Sequence, residues 1–203
     1  MGSDLLLDGI HSSYAQNNYG ALLYALVRVM RPQAVVELGT FEGYSGIHIG
    51  AAMRDNAVPM SSLDLIDEWE RYPYRNCTAA QARANFQRNG LHHLAEPALR
   101  FWQGDAIAEA ARFRDGVIDL LHIDLSNDGD VLDRATVAWL PKLAPGATVV
   151  IEAGSRERDQ VEWMVKYQKP SIRSWLGSAW VTGRFSFVTL QPFPSMTILR
   201  RLH

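Results

Sequence analysis

Five short apolar runs alternate with helix-patterned stretches between residues 34 and 168. The runs are Ala34–Leu38, 61–67, 99–103, 117–124 and 147–152. The near-continuous apolar run of 117–124 marks a strand at the centre of a sheet, buried on both faces. The intervening stretches, 44–54, 78–89, 106–113 and 128–140, carry helical spacing and plausible stops, such as Gly90 and Pro141. Residues 156–168 continue the pattern as a further helix. Such alternation requires a parallel sheet with helices on both faces and right-handed crossovers. Phe185–Leu190 and 196–202 read as two more strands, joined by Gln191-Pro192-Phe193-Pro194-Ser195. The predicted fold is α/β, a doubly wound seven-stranded sheet, mostly parallel, with a C-terminal antiparallel hairpin.

A chain of 203 residues suits a single domain over 1–203. Its parts are a leading helix (13–30), a ligand-binding core (34–152) and the terminal hairpin (185–202). In the leading helix Leu23, Leu26, Val27 and Met30 recur on one face and Pro32 ends it. Its polar start, Gln16-Asn17-Asn18-Tyr19, is within reach of a site. A net charge of −2 argues against bulk binding to nucleic acid or a membrane surface. The one cysteine, Cys77, excludes an intrachain disulfide and a thiolate metal cage. No run of about 18 apolar residues and no signal-peptide pattern is present, so a cytoplasmic protein is expected. The leading helix and terminal hairpin leave a homodimer surface open.

The ligand of such a sheet lies beyond the carboxyl ends of the strands. Glu37, Asp67, Asp105, Asp124 and Glu152 all end strands or follow them directly. After the first strand the chain turns at Gly39 and Gly43 and enters a helix at Tyr44-Ser45, which aims backbone N–H groups at a ligand. A nicotinamide enzyme would need glycine at 41 and 44, where Phe41 and Tyr44 stand, and no phosphate-loop string exists. An acid-lined pocket suits a ligand with sulfonium and ammonium groups better. Glu37 and Asp124 then face its cationic end, Asp67 its ribose hydroxyls, and Asp105 sits near its adenine.

The segment Glu37-Leu38-Gly39-Thr40-Phe41-Glu42-Gly43-Tyr44-Ser45 resembles the cofactor loop of class I S-adenosylmethionine-dependent methyltransferases, whose fold is Rossmann-like. Ile66-Asp67-Glu68-Trp69-Glu70, Gln103-Gly104-Asp105-Ala106, Ile118-Asp119-Leu120-Leu121-His122-Ile123-Asp124 and Trp139-Leu140-Pro141-Lys142-Leu143-Ala144-Pro145-Gly146 are similar to further segments of small bacterial O-methyltransferase-like proteins. The likeness covers roughly residues 20 to 160. It implies a cofactor site of Glu37, Gly39, Thr40, Phe41, Gly43, Ser45, Asp67, Gly104, Asp105, Ala106 and Asp124, with Asp64 the alternate ribose acid. It also implies in-line methyl transfer from S-adenosylmethionine to a small-molecule acceptor.

The resemblance breaks after the fourth and fifth strands. Relatives commonly have Asp-Gly-x-His and then His-Asp or Asp-Asn; this chain has Asp124-Leu125-Ser126-Asn127 and Glu152-Ala153. Catechol-type relatives hold magnesium with the acids at these places plus an amide. The metal question is therefore open: Asp124 and Glu152 suit a hard, oxygen-liking cation, and a third ligand is missing. A catalytically inactive S-adenosylmethionine-binding protein is the alternative function. If the acceptor is a hydroxyl, Asp124 is the candidate base. His122 shares its strand face and lies two residues deeper. Trp69, Tyr72 and Tyr74 are candidates to roof the acceptor, and His92-His93 read as a solvated loop.

Overall fold

A computed structural model describes residues 5–74, 77–92, 97–191 and 193–202. Arg75 and Asn76, His93, and Pro192 of the hairpin linker lie outside the described residues. His92 is exposed. The chain forms two compact units, Met1–Asp105 and Ala106–His203.

The first unit contains β1 (Ala34–Leu38), β2 (Ser62–Asp67) and β3 (Ala98–Gln103), parallel and in the order β3-β2-β1. Around them run α1 (Tyr19–Met30), α2 (Tyr44–Asn56) and α3 (Ala79–Arg88). The expected helix over 13–30 is split. Ser13–Asn17 is a 3₁₀ turn, and Asn18 adopts the left-handed conformation at φ 52° before α1 starts. Asparagine enters that region more cheaply than most residues, so the chain bends there although the apolar period runs on. α3 opens on a capping box, with the Thr78 and Gln81 side chains each accepting from the other's backbone N–H.

Packing of α2 explains its glycines. A Cβ at Gly46 would lie 2.6 Å from Glu37 Oε2 and 2.8 Å from the Phe86 ring, so the helix presses directly onto β1. On the side facing α1, the His48 ring sits where a Cβ on Gly20 would fall, 2.2 Å away. His48 is buried, packs against Tyr44, and has its pKa lowered to about 4 by burial. Of the three aromatic candidates after β2, Trp69 is buried, Tyr72 half-buried and Tyr74 exposed. Trp69 is 2% exposed and packs with Cys77 and Ala82 against Phe41 and Phe101. The large apolar area of the indole is thus spent on the core. The Cys77 thiol there is pushed up to about 11, by burial first and then by the charges of Glu42, Asp67 and Glu70.

The second unit contains β4 (Ile118–Ile123), β5 (Leu143–Glu152), β6 (Phe185–Leu190) and β7 (Met196–Arg201), in the order β4-β5-β7-β6. β4 and β5 are parallel; β5–β7 and β7–β6 are antiparallel, which is the expected terminal hairpin. β5 starts at Leu143, ahead of the expected 147. A register shift between Ile118 and Leu120 of β4 accommodates Pro145-Gly146 within it. Asp128 caps α4 (Gly129–Trp139) by accepting from the Val131 N–H. The expected helix over 106–113 is only a 3₁₀ turn, Ala108–Arg112, with Ile107 at its cap position. The expected helix over 156–168 breaks where Val161 turns extended, giving α5 (Arg156–Asp159) and α6 (Glu162–Lys166). Two unanticipated short helices follow, α7 (Ile172–Leu176) and α8 (Ala179–Thr182), each capped by a serine hydroxyl. The chain therefore has the α/β class and the seven strands read from its sequence. No helix among the described residues is long and apolar enough to cross a membrane.

Candidate functional site

The first unit brings most of the expected cofactor residues together at the carboxyl ends of its strands. β1 delivers Glu37, fully buried, and the Ser45 hydroxyl at the start of α2 donates to its Oε1 at 2.6 Å. Gly39 and Gly43 turn the chain between them at φ 85° and 96°, a conformation in which a side chain is strained. At Gly43 a Cβ would also strike the Phe86 ring at 2.5 Å. Thr40 is 3% exposed, and its hydroxyl has no hydrogen-bond partner within the protein. A buried hydroxyl without a protein partner is uncommon, and an ordered water or a ligand atom satisfies it.

Asp67, at the end of β2, holds this loop. Its Oδ2 accepts the Phe41 N–H at 2.7 Å and its Oδ1 accepts the Trp69 N–H at 2.7 Å. Phe41 and Trp69 both sit at positive φ, so the carboxylate fixes two strained residues. The Phe41 carbonyl in turn accepts from the Trp69 indole N–H. Each Asp67 oxygen keeps further acceptor capacity for hydroxyl donors. Asp64 does something else: it is buried against β3, receiving Trp102 Nε1 at 2.8 Å and pairing with Arg100 at 3.2 Å. At the end of β3, the Gly104 N–H donates to the Asp67 carbonyl at 3.0 Å, and the Asp105 side chain is exposed.

One participant escaped the sequence reading. The N-terminal segment reaches Glu42 in the middle of the glycine turn: the His11 N–H donates to Glu42 Oε2 at 2.6 Å, and the His11 ring lies 3.1 Å away. Asn89 anchors the same segment by exchanging bonds with Leu6. No local pattern in residues 6–11 signals this.

In the second unit His122 is fully buried within β4, while Asp124, just beyond its end, is half-buried. Ala106 is buried, and its carbonyl accepts the Trp139 indole N–H at 2.9 Å. Asn127 Nδ2 donates to the carbonyls of Ile123 and Glu152, tying the ends of β4 and β5 together. The Glu152 carboxylate is taken by Arg158: Nε lies 2.8 and 3.0 Å from its two oxygens. Arg158 Nη2 donates to the Asn127 carbonyl at 3.1 Å. Among the described residues no group of three or more His, Cys, Asp or Glu is placed to hold a metal ion. A guanidinium seated on Glu152 does not fit a divalent cation there.

The whole frame compares closely with known proteins. The family model of the methyltransferase domain matches residues 36–152, from the middle of β1 to the last residue of β5. The chain belongs to the methyltransferase-domain family. A protein of Mycobacterium sp. (strain JLS) named "Putative O-methyltransferase" is 31% identical over 134 residues, covering 65% of this chain and 53% of that protein. The chain thus spans about half the length of that curated relative. Among solved structures, the O-methyltransferase TomG of Streptomyces achromogenes, in complex with S-adenosylmethionine, superposes with a TM-score of 0.68 at 23% identity, covering 97% of this chain and 83% of that one. An O-methyltransferase of Bacillus cereus in complex with S-adenosylhomocysteine gives 0.66 at 19% identity over 96% and 84%. At such identities these structures establish the methyltransferase fold.

Proposed function

We propose that this chain is an S-adenosylmethionine-dependent methyltransferase that methylates an oxygen of a small molecule. The observation that carries the reading is the glycine turn of the first unit: a fully buried Glu37, an unpartnered buried Thr40 hydroxyl, and Asp67 locked onto the turn's backbone. A carboxylate out of water favours a cationic group, and a second carboxylate with spare lone pairs suits vicinal hydroxyls. S-adenosylmethionine carries both, and it supplies an electrophilic methyl on a sulfonium when bound. Relatives crystallised with it or its demethylated product support the choice.

In this reading Glu37, Gly39, Thr40, Phe41, Gly43 and Ser45 receive the methionine end. Asp67 orients the ribose and is preferred to Asp64, which is committed to Arg100 and Trp102. Gly104, Asp105 and Ala106 serve the adenine. Asp124 serves both ligands and accepts the acceptor's proton. His122 supports it from within β4. The protein's own work is alignment and exclusion of water, worth roughly 7–11 kcal/mol of barrier, so no conspicuous nucleophile is required. A binder without turnover is the weaker alternative, because the family match spans the strand ends that carry Asp124 and Glu152. The chain is further proposed to act in the cytoplasm, to leave nucleic acid and membranes alone, and to offer its terminal hairpin to a second copy. Val188 on the edge strand β6 is exposed, as such a contact requires.

Calorimetric titration with S-adenosylhomocysteine and, separately, with NAD tests the cofactor. Micromolar binding of the first and none of the second is expected; no binding of the homocysteine compound removes the reading. Turnover of labelled cofactor across phenols, catechols and sugars then finds the acceptor, and its absence across all three favours the inactive binder.

A further inference from the structure

The segment after β5 is built around a buried cation that belongs to the chain itself. Arg158 and Glu152 are 7% and 9% exposed in their side chains. Arg158 rises from α5, whose cap is the Ser155 hydroxyl accepting the Arg158 N–H at 3.2 Å. Its guanidinium lies over the Trp163 ring, 5.2 Å from the centroid. Nε serves both Glu152 oxygens and Nη2 serves the Asn127 carbonyl. Nη1 is buried and without a hydrogen-bond partner, as is Oδ1 of Asn127. Around Glu152 the backbone is equally fixed: the Ala153 N–H donates to the Ser195 carbonyl at 2.8 Å, and the Ser155 N–H to Ser195 Oγ at 3.0 Å.

We propose that Arg158 stands beside Glu152 in place of a divalent metal, so that the methyl transfer proposed above proceeds without one. A fixed guanidinium already neutralises the carboxylate. A hard divalent ion prefers anionic oxygens with lone pairs free to coordinate it, and would have to evict Arg158 first. Leaving a buried charge without its partner is among the most destabilising changes a core can suffer, which weakens metal binding by roughly 10²–10³-fold. Arg158 is a positioning residue here: through Glu152 and Asn127 it sets the spacing of the β4 and β5 ends. The inference rests on the methyltransferase reading for its meaning, but its test does not depend on cofactor or acceptor.

The test is a Mn²⁺ titration of the full chain followed by electron paramagnetic resonance, with calorimetry of S-adenosylhomocysteine on the same preparation. At about 1 mM Mn²⁺ the wild-type chain is expected to leave the spectrum of the free ion unchanged. Arg158→Met is expected to create a saturable site, which is lost again in the Glu152→Gln/Arg158→Met double variant. One-to-one binding by the wild type that Glu152→Gln abolishes would overturn the proposal. So would a folded Arg158→Met variant with no gain. Should that variant not fold, the wild-type titration and Glu152→Gln decide alone. Absent homocysteine binding with a silent Mn²⁺ titration would remove the cofactor reading and leave Arg158's role standing.

Discussion

Asp67 accepts the Phe41 N–H at 2.7 Å across the gap between β2 and the glycine turn that follows β1. The carboxylate assigned to ribose is therefore also what holds the turn in shape, together with its bond to the Trp69 N–H.

Replacing Asp67 by Ala removes two charge-assisted acceptors and leaves two strained amides unsupported. A loss of about 2–4 kcal/mol of folding stability is expected, measured by urea unfolding. Affinity for S-adenosylhomocysteine should fall at least tenfold with it. Asp64→Asn separates the two acids: it disturbs Arg100 and Trp102 at β3 and should leave the affinity within about twofold. A large affinity loss in Asp64→Asn would reverse the ribose assignment.

Glu37→Gln keeps the shape and the Ser45 bond but removes the buried charge. Charge-assisted bonds are worth about 1.5–3 kcal/mol, so the dissociation constant for the cofactor product should rise roughly 10- to 100-fold. The thermal midpoint should hold or rise, since a buried charge is relieved.

Gly46→Ala drives a methyl to within 2.6 Å of Glu37 Oε2 and 2.8 Å of Phe86. A destabilisation of about 1–3 kcal/mol is expected from overpacking, although alanine is the better helix former. Equal or greater stability than wild type in denaturant would mean that α2 does not press on β1 as described.

His48 imposes a pH dependence. Burial lowers its folded pKa to about 4 from 6.5, so the unfolded chain takes up a proton before the folded one does. Its contribution is fully present above pH 6.5 and is lost as the pH falls from 6.5 towards 4. Between pH 7 and 5 the loss is at most about 2 kcal/mol. Urea unfolding at both values should show a smaller difference for His48→Gln than for wild type.

The parts of the fold legible in the sequence are those with local causes. β1 is an apolar run ended by glycine, and the hairpin partners are β-rich runs either side of a proline-rich turn. What failed depends on choices that neighbours make. Asn18 interrupts a continuous apolar period because its backbone tolerates a left-handed turn. Val161 breaks a polar stretch whose composition alone would carry a longer helix. Trp69 looked like a roof because its segment is charged, yet its ring is drawn into the core by Cys77, Ala82 and Phe101. At the site, Glu37 and Asp67 were readable as acids at strand ends. Arg158 was not, because nothing in a string of charged residues tells which one folds back onto Glu152.

The burial of Cys77 has a practical side. It is the chain's one cysteine, and with a pKa of about 11 only about one thiol in ten thousand is ionised at neutral pH. Buried and with its pKa raised, the thiol is expected to react slowly with maleimide and disulfide reagents in the native chain. A single cysteine introduced at an exposed position, such as Val29 on α1 or Tyr74 after β2, becomes a unique attachment point for a fluorophore without any prior removal of the native thiol. Placed at Tyr74, such a reporter sits seven residues after Asp67, next to the segment whose backbone that acid holds.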